Sequence, residues 1–235
     1  MERPGLAFII VIVLAIGVIA LTSGDHTVDR TMPERMEEQQ QQEEMEARKK
    51  QAASAAKAGD PARLKAYEGL SAGAVKAELE IENVGTLKLE LYPQAAPKTV
   101  AHIVDLAGKG FYAGIRFHRL EDNFVVQGGD PESKKLKKED FAGKNSQEVA
   151  TALNLGGGGS GTSVPLENKL PHLQYTLGLA RSKAENSGDS QFFINIQDSA
   201  HLDKDYCAFG RVVEGQDLVT KIQMGDAIKS FKIIK

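Results

Sequence analysis

FHRLEDNFVVQGGD, residues 117–130, holds most of two strand-like runs, IRFHRL from Ile115 and NFVVQGG from Asn123. Successive side chains of a strand take opposite faces, so His118 and Arg119 must point apart. Further strand-like stretches follow at YTLGLAR from Tyr175, SQFFINI from Ser190, YCAFGRVV from Tyr206 and IKSFKII from Ile228. Upstream, AELEIEN and TLKLELY set Leu79 and Ile81, then Leu87, Leu89 and Leu91, on one face at period two. Asn83 to Gly85 form the turn of a hairpin between them. Two helices are clear. Pro97 suits a first helical position, Val100, Ile103, Val104 and Ala107 make an apolar stripe, and Gly108 and Gly110 stop the helix. A second covers Asp217 to Gln223. So many antiparallel strands need a sandwich or a closed barrel to remove their edges.

Three segments of different character make up the 235 residues. In residues 1–24, the 21 uncharged residues PGLAFIIVIVLAIGVIALTSG span about 30 Å as a helix, the thickness of a bilayer core. A transmembrane signal anchor is expected there, with residues 4–24 in lipid. The competing reading is a secretory signal cut near Ala15 and Gly17 or Ala20, which makes the protein secreted. A very short N-terminal tail favours a single pass with the folded part on the extracytoplasmic side. Residues 25–73 are polar, with EEQQQQEEMEARKKQAASAAKA at the centre, acidic early and basic late as the helix dipole prefers. Met36 and Met45 are too few for a heptad seam, so a helical or disordered spacer is expected. Residues 74–235 form the folded domain.

Composition excludes several functions. A net charge of −3 gives no electrostatic reason to bind nucleic acid. The single cysteine, Cys207, excludes a disulfide framework and any cysteine-cluster metal site. The five histidines show none of the i, i+4 spacings of helical zinc sites. GGGGSGTS at Gly156–Ser163 lacks the lysine of a phosphate loop, and no GxSxG nucleophile elbow is present.

The order of FHR, NFVVQGGD, GLAR, SQFFI, HLD and FGRVVEG, after a hairpin and a helix containing APKTV, resembles the cyclophilin family from about Val75 to Lys235. The resemblance implies a mainly β fold, a closed eight-stranded antiparallel barrel capped by two α-helices, with a proline-binding groove and no cofactor or metal. It implies peptidyl-prolyl cis/trans isomerase activity on proline-containing polypeptides. Rotation about an X-Pro bond meets a barrier of about 18–20 kcal/mol, because the amide nitrogen shares its lone pair with the carbonyl. A catalyst needs an apolar pocket for the ring and a fixed donor for the twisted state, in which that lone pair is localised. On the family's pattern Arg119 is the donor, its guanidinium a rigid, permanently charged fork of N–H groups, and Gln127 orients it. Phe124, Val125, Phe193, Leu202 and Tyr206 line the proline pocket. Gln191 and the backbone of Ala180 and Arg181 hold the flanking peptide extended. Of the adjacent pair, Phe193 is assigned to the pocket and Phe192 to the core.

Departures from the best-known eukaryotic members are His201 for a tryptophan, Tyr206 for a pocket histidine and Arg181 for an asparagine, as in bacterial cyclophilins. Without the indole, cyclosporin binding is expected to be weak, with His201 a partial substitute donor. The glycines between Gly156 and Gly161 border the pocket for the residue before proline and leave it undiscriminating. Assistance to exported or membrane-proximal chains is the expected purpose. The alternative is a membrane-tethered proline-peptide binding module or scaffold whose catalysis is incidental.

Overall fold

The computed structural model describes residues 61–234. The expected transmembrane anchor and most of the expected spacer therefore lie outside the described residues. Among the described residues no helix is long and apolar enough to cross a membrane.

Eight strands form one antiparallel sheet: β1 Val75–Ile81, β2 Gly85–Leu91, β3 Arg119–Glu121, β4 Val125–Gly128, β5 Thr176–Leu179, β6 Phe192–Asn195, β7 Cys207–Glu214 and β8 Ile228–Ile234. Their spatial order is β3-β4-β6-β5-β7-β2-β1-β8. The hairpin follows its alternation: Leu79 faces Leu87 and Ala77 faces Leu89, all buried, and Asn83 takes the positive φ of 59° that the turn demands. The sheet curls into a half-barrel. Its edge strands β3 and β8 share no ladder, unlike the closed barrel expected. The chain just ahead of β3 instead meets the first residue of β8 and the turn before it: Gly114 N donates to Ile228 O and Ile228 N to Ile115 O, both at 2.8 Å. Phe117 N donates to Asp226 O at 2.9 Å, and Gly225 N to Phe117 O at 2.8 Å. Backbone groups that an open edge would expose are thereby satisfied.

Among the described residues four α-helices accompany the sheet: α1 Pro61–Lys65, α2 Pro97–Gly108, α3 Ser146–Ala152 and α4 Gln216–Val219. In α2 the proline opens the helix as expected, but the buried stripe is rotated. Leu106 is buried with Val100, Ile103 and Ala107, while Val104 is only half-buried. The last helix is shorter than the expected span to Gln223. Lys221 N and Ile222 N bond to the carbonyls three residues back, and Gln223 N donates to the Asp226 carboxylate at 2.7 Å, ending the helix in a turn. Phe117, Phe192, Phe209 and Tyr112 fill the core between sheet and α2. Tyr112 meets Phe192 edge-on, with ring centroids 5.7 Å apart.

Residues 61–73, which the sequence reading gives to the spacer, pack on this domain. Tyr67 is buried against Tyr92, Leu170 and Leu173, and its hydroxyl donates to Pro171 O at 2.5 Å.

Candidate active site

Four strands place the site. Arg119 opens β3 and pairs with Gln127 on β4, which pairs in turn with Phe193 on β6, and Phe193 faces Gly178 on β5. The period of two sends Phe192 into the main core, fully buried, and Phe193 into a separate cluster with Val125, Leu202, Phe124, Ala180 and Tyr206. A cleft of about 380 Å³ opens over this cluster. Its wall includes Arg119, Phe124, Val125, Gln127, Ala180, Arg181, Phe193, Leu202 and Tyr206.

Polar groups run along the rim as a chain. Arg119 Nη1 donates to Gln127 Oε1 at 3.2 Å, Gln127 Nε2 to Gln191 Oε1 at 3.0 Å, and Gln191 Nε2 to Gly158 O at 2.7 Å. Each amide thus accepts at one end and donates at the other, and the last acceptor is backbone. Arg119 also lies 3.5 Å from Glu121 and 5.8 Å from the centre of the Phe124 ring. Nothing in this line competes for the outer face of the guanidinium, whose side chain keeps 40% of its surface exposed.

A second cleft, about 370 Å³, adjoins the first and shares Gln127, Gly156, Ala180 and Arg181 with it. Glycines 156–159 and Gly161 border it. Two carboxylates fix that glycine loop. Asp130, wholly buried, accepts from Gly156 N at 2.7 Å and Gly158 N at 3.0 Å. Asp189 accepts from Gly161 N at 2.9 Å and from the Ser160 hydroxyl, and meets His102 Nε2 at 3.1 Å.

The model for the family described as cyclophilin type peptidyl-prolyl cis-trans isomerase/CLD matches residues 76–234. The chain is a cyclophilin. It is a peptidyl-prolyl cis-trans isomerase by family and by named relatives. A probable peptidyl-prolyl cis-trans isomerase of Brucella suis is 38% identical over 170 residues, covering 68% of this chain and 82% of the relative. Peptidyl-prolyl cis-trans isomerase B of Bacillus subtilis is 32% identical over 155 residues, covering 65% and 94%. Among solved structures, a Cryptosporidium parvum cyclophilin-type isomerase, crystallised in the presence of the dipeptide Ala-Pro, superposes with a TM-score of 0.54 at 25% identity. It covers 68% of this chain and 99% of that one.

The cyclophilin cleft gathers nine of the eleven residues that the sequence singles out. Gln191 borders the second cleft, and His201 stands outside both, exposed and stacked on Phe124 with centroids 5.2 Å apart. At Ala180 the backbone pairing narrows what can meet a peptide. The Ala180 amide N–H donates to Gln191 O at 2.9 Å, so of that residue's backbone only the carbonyl can meet a peptide. Arg181 turns its side chain to the neighbouring loop. The guanidinium lies 5.0 Å from the Tyr206 ring centre, and donates to Asp205 O at 2.5 Å and Ser182 O at 3.0 Å. His118 borders the cleft although its ring is almost entirely buried, and burial holds its pKa below the ordinary imidazole value.

Ser146, Ala150 and Leu155 complete the wall and were not foreseen. They come from α3 and the chain after it, held against β3 by Ser146 Oγ, which donates to Leu120 O at 2.9 Å. A signal was present in Asn145-Ser-Gln-Glu148, a capping box: Asn145 Oδ1 accepts from Glu148 N at 2.9 Å and Glu148 Oε2 from Asn145 N at 2.8 Å.

Proposed function

We propose that this cyclophilin turns X-Pro bonds of peptides lying along the joined clefts, with the proline ring over Phe193 and Arg119 as the catalytic donor. The observation that carries the reading is the Arg119–Gln127–Gln191 chain beside an apolar floor. A guanidinium held from behind by Gln127 meets a twisting amide without reorganising, and it hydrogen-bonds the carbonyl and the pyramidalising nitrogen together. Phe124, Val125, Leu202 and Tyr206 enclose the ring, while Gln191 and the Ala180 carbonyl keep the flanking peptide extended. No bond breaks and no cofactor enters. Arg119→Ala costs about 2–4 kcal/mol of transition-state stabilisation, roughly 30- to 1,000-fold in kcat/KM. A protease-coupled proline-peptide assay giving equal rates for variant and parent overturns the assignment.

The protein is further proposed to be a single-pass membrane enzyme, held by residues 4–24 with the domain on the extracytoplasmic side, where it assists the folding of exported chains. The aliphatic run from Leu6 to Leu21 supports this. Retention in the membrane pellet after alkaline wash, with an intact mass that includes residues 1–24, is expected. A soluble product cut near Ala20 overturns it. Cyclosporin binds weakly on this reading, since His201 offers Phe124 a small ring in place of an indole.

A further inference from the structure

Arg63 belongs to neither cleft, yet two residues join it to both the floor and the side of the first. Its Nη2 donates to the two carboxylate oxygens of Asp203 at 3.1 and 3.0 Å and to the His172 carbonyl at 3.2 Å. Nη1 stands 3.7 Å from Asp198. Asp203 also accepts from His172 N at 2.7 Å. The His172 carbonyl takes a second hydrogen bond, from Ser199 N at 2.8 Å. Asp198 and Asp203 bracket the 3-10 turn Ala200–Leu202, which carries Leu202 to the cleft. One guanidinium therefore gathers the His172 backbone and both ends of that turn. Four residues farther along the same segment, beyond α1, Tyr67 holds Pro171.

His172 passes this grip to the cleft through its ring. The imidazole is buried and stacks on Phe193, with centroids 5.6 Å apart and planes 21° from parallel. Asn195 Nδ2, placed by its bond to Thr176 Oγ1 at 2.8 Å, lies 3.1 Å from His172 Nδ1. An amide nitrogen only donates, so Nδ1 accepts and the proton sits on Nε2, which donates to Tyr206 O at 3.3 Å. The ring thus touches Phe193 on its face and the Tyr206 backbone at its edge.

We propose that Arg63 is a positioning residue of the isomerase. As the chain enters the domain, it clasps His172 and the Ala200–Leu202 turn, and through them sets Phe193, Leu202 and Tyr206 for the proline ring. The proposal rests on the pocket assignment made above. The fork lets Nη2 hold Asp203 and the His172 carbonyl while Nη1 faces Asp198. A lysine ammonium presents one point charge, which can serve the first group but not both sides at once.

Steady-state kinetics of the full-length chain on a proline tetrapeptide test this. Arg63→Ala and Asp203→Asn are each expected to raise KM about three- to tenfold with kcat within about twofold, the mark of lost uniform binding. Arg63→Lys recovers less than half of that loss. The double variant is no worse than the poorer single one, because both act through one contact. A KM unchanged in Arg63→Ala, with only the melting temperature lowered, overturns the clasp, as does full additivity in the double variant. Phe193→Ala is the control. If it weakens binding while Arg63→Ala is silent, the clasp alone is wrong; if Phe193→Ala is silent, the pocket assignment falls and the clasp with it.

Discussion

Gly178 faces Phe193 across the β5–β6 ladder, and its lack of a side chain is what lets the phenyl ring lie over the strand. A Cβ built at Gly178 would stand 2.2 Å from Phe193 Cζ, 2.4 Å from Cε2 and 2.8 Å from His172 Cε1. Carbon atoms in contact sit about 3.5–4.0 Å apart, so Gly178→Ala forces the ring to retreat by roughly 1 Å or more. His172 is stacked on the ring and Tyr206 meets it edge-on, centroids 5.8 Å apart, so the open direction is the cleft. Overpacking of this kind costs about 1–3 kcal/mol of stability. The catalytic loss is expected to be larger than stability alone implies, because a 1 Å misplacement at a reacting site costs up to about 100-fold. We expect kcat/KM for a proline tetrapeptide to fall about 10- to 100-fold, or roughly 1.4–2.7 kcal/mol, in a protein that still unfolds cooperatively. The measurement pairs a protease-coupled assay with urea unfolding. A variant that is destabilised by the stated amount but keeps parental kcat/KM refutes the placement of the proline over Phe193.

Two further outcomes concern buried polar groups. Asp130→Asn leaves a donor where the carboxylate accepts from Glu132 N at 2.9 Å or from the two glycine amides, so urea unfolding should show a loss of about 2–5 kcal/mol. A change under 1 kcal/mol, with a parental exchange rate for the Gly158 amide, contradicts the pinning of the loop. Burial lowers the His172 pKa from the ordinary 6.5 to about 4, so between these values the unfolded chain binds the extra proton and stability must fall as pH falls. The drop is about 3 kcal/mol across that window, present in full above pH 6.5 and lost by pH 4, and burial of His118 adds in the same direction. His172→Gln should flatten most of it in unfolding curves taken at each pH; an equally steep profile in that variant rules His172 out.

What the sequence displayed well was strict alternation. Leu79, Ile81, Leu87, Leu89 and Leu91 announced the hairpin, and the same period separated Phe192 from Phe193. Motif order then brought together residues that three strands and a 3-10 turn supply. What it hid were elements without an apolar rhythm. Residues 61–73 dock through Arg63 and Tyr67, a pattern too sparse to distinguish from a polar spacer. Helix α3 buries only Val149, so its capping box was the sole local mark. The half-barrel depends on bonds between Gly114–Phe117 and Gly225–Ile228, pairings that composition cannot reveal. Which of Ala180's two backbone groups stays free for a peptide was equally hidden, because the bond from its amide to Gln191 O depends on a pairing that local sequence does not display.

The glycine loop carries a lesson for anyone who wants to retune this enzyme. Four successive glycines suggest four positions free to vary, but a Cβ at Gly158 would lie 2.2 Å from Asp130 Oδ1 and one at Gly159 would lie 2.4 Å from Asp189 Oδ2. Gly156 has open space around it but a φ of 96°, which strains any other residue. Gly157 alone combines open space with an ordinary backbone, and it borders the second cleft. A combinatorial library aimed at sequence preference therefore has one permissive site in that run, from which a new side chain can reach the flanking peptide without disturbing the two carboxylates beneath.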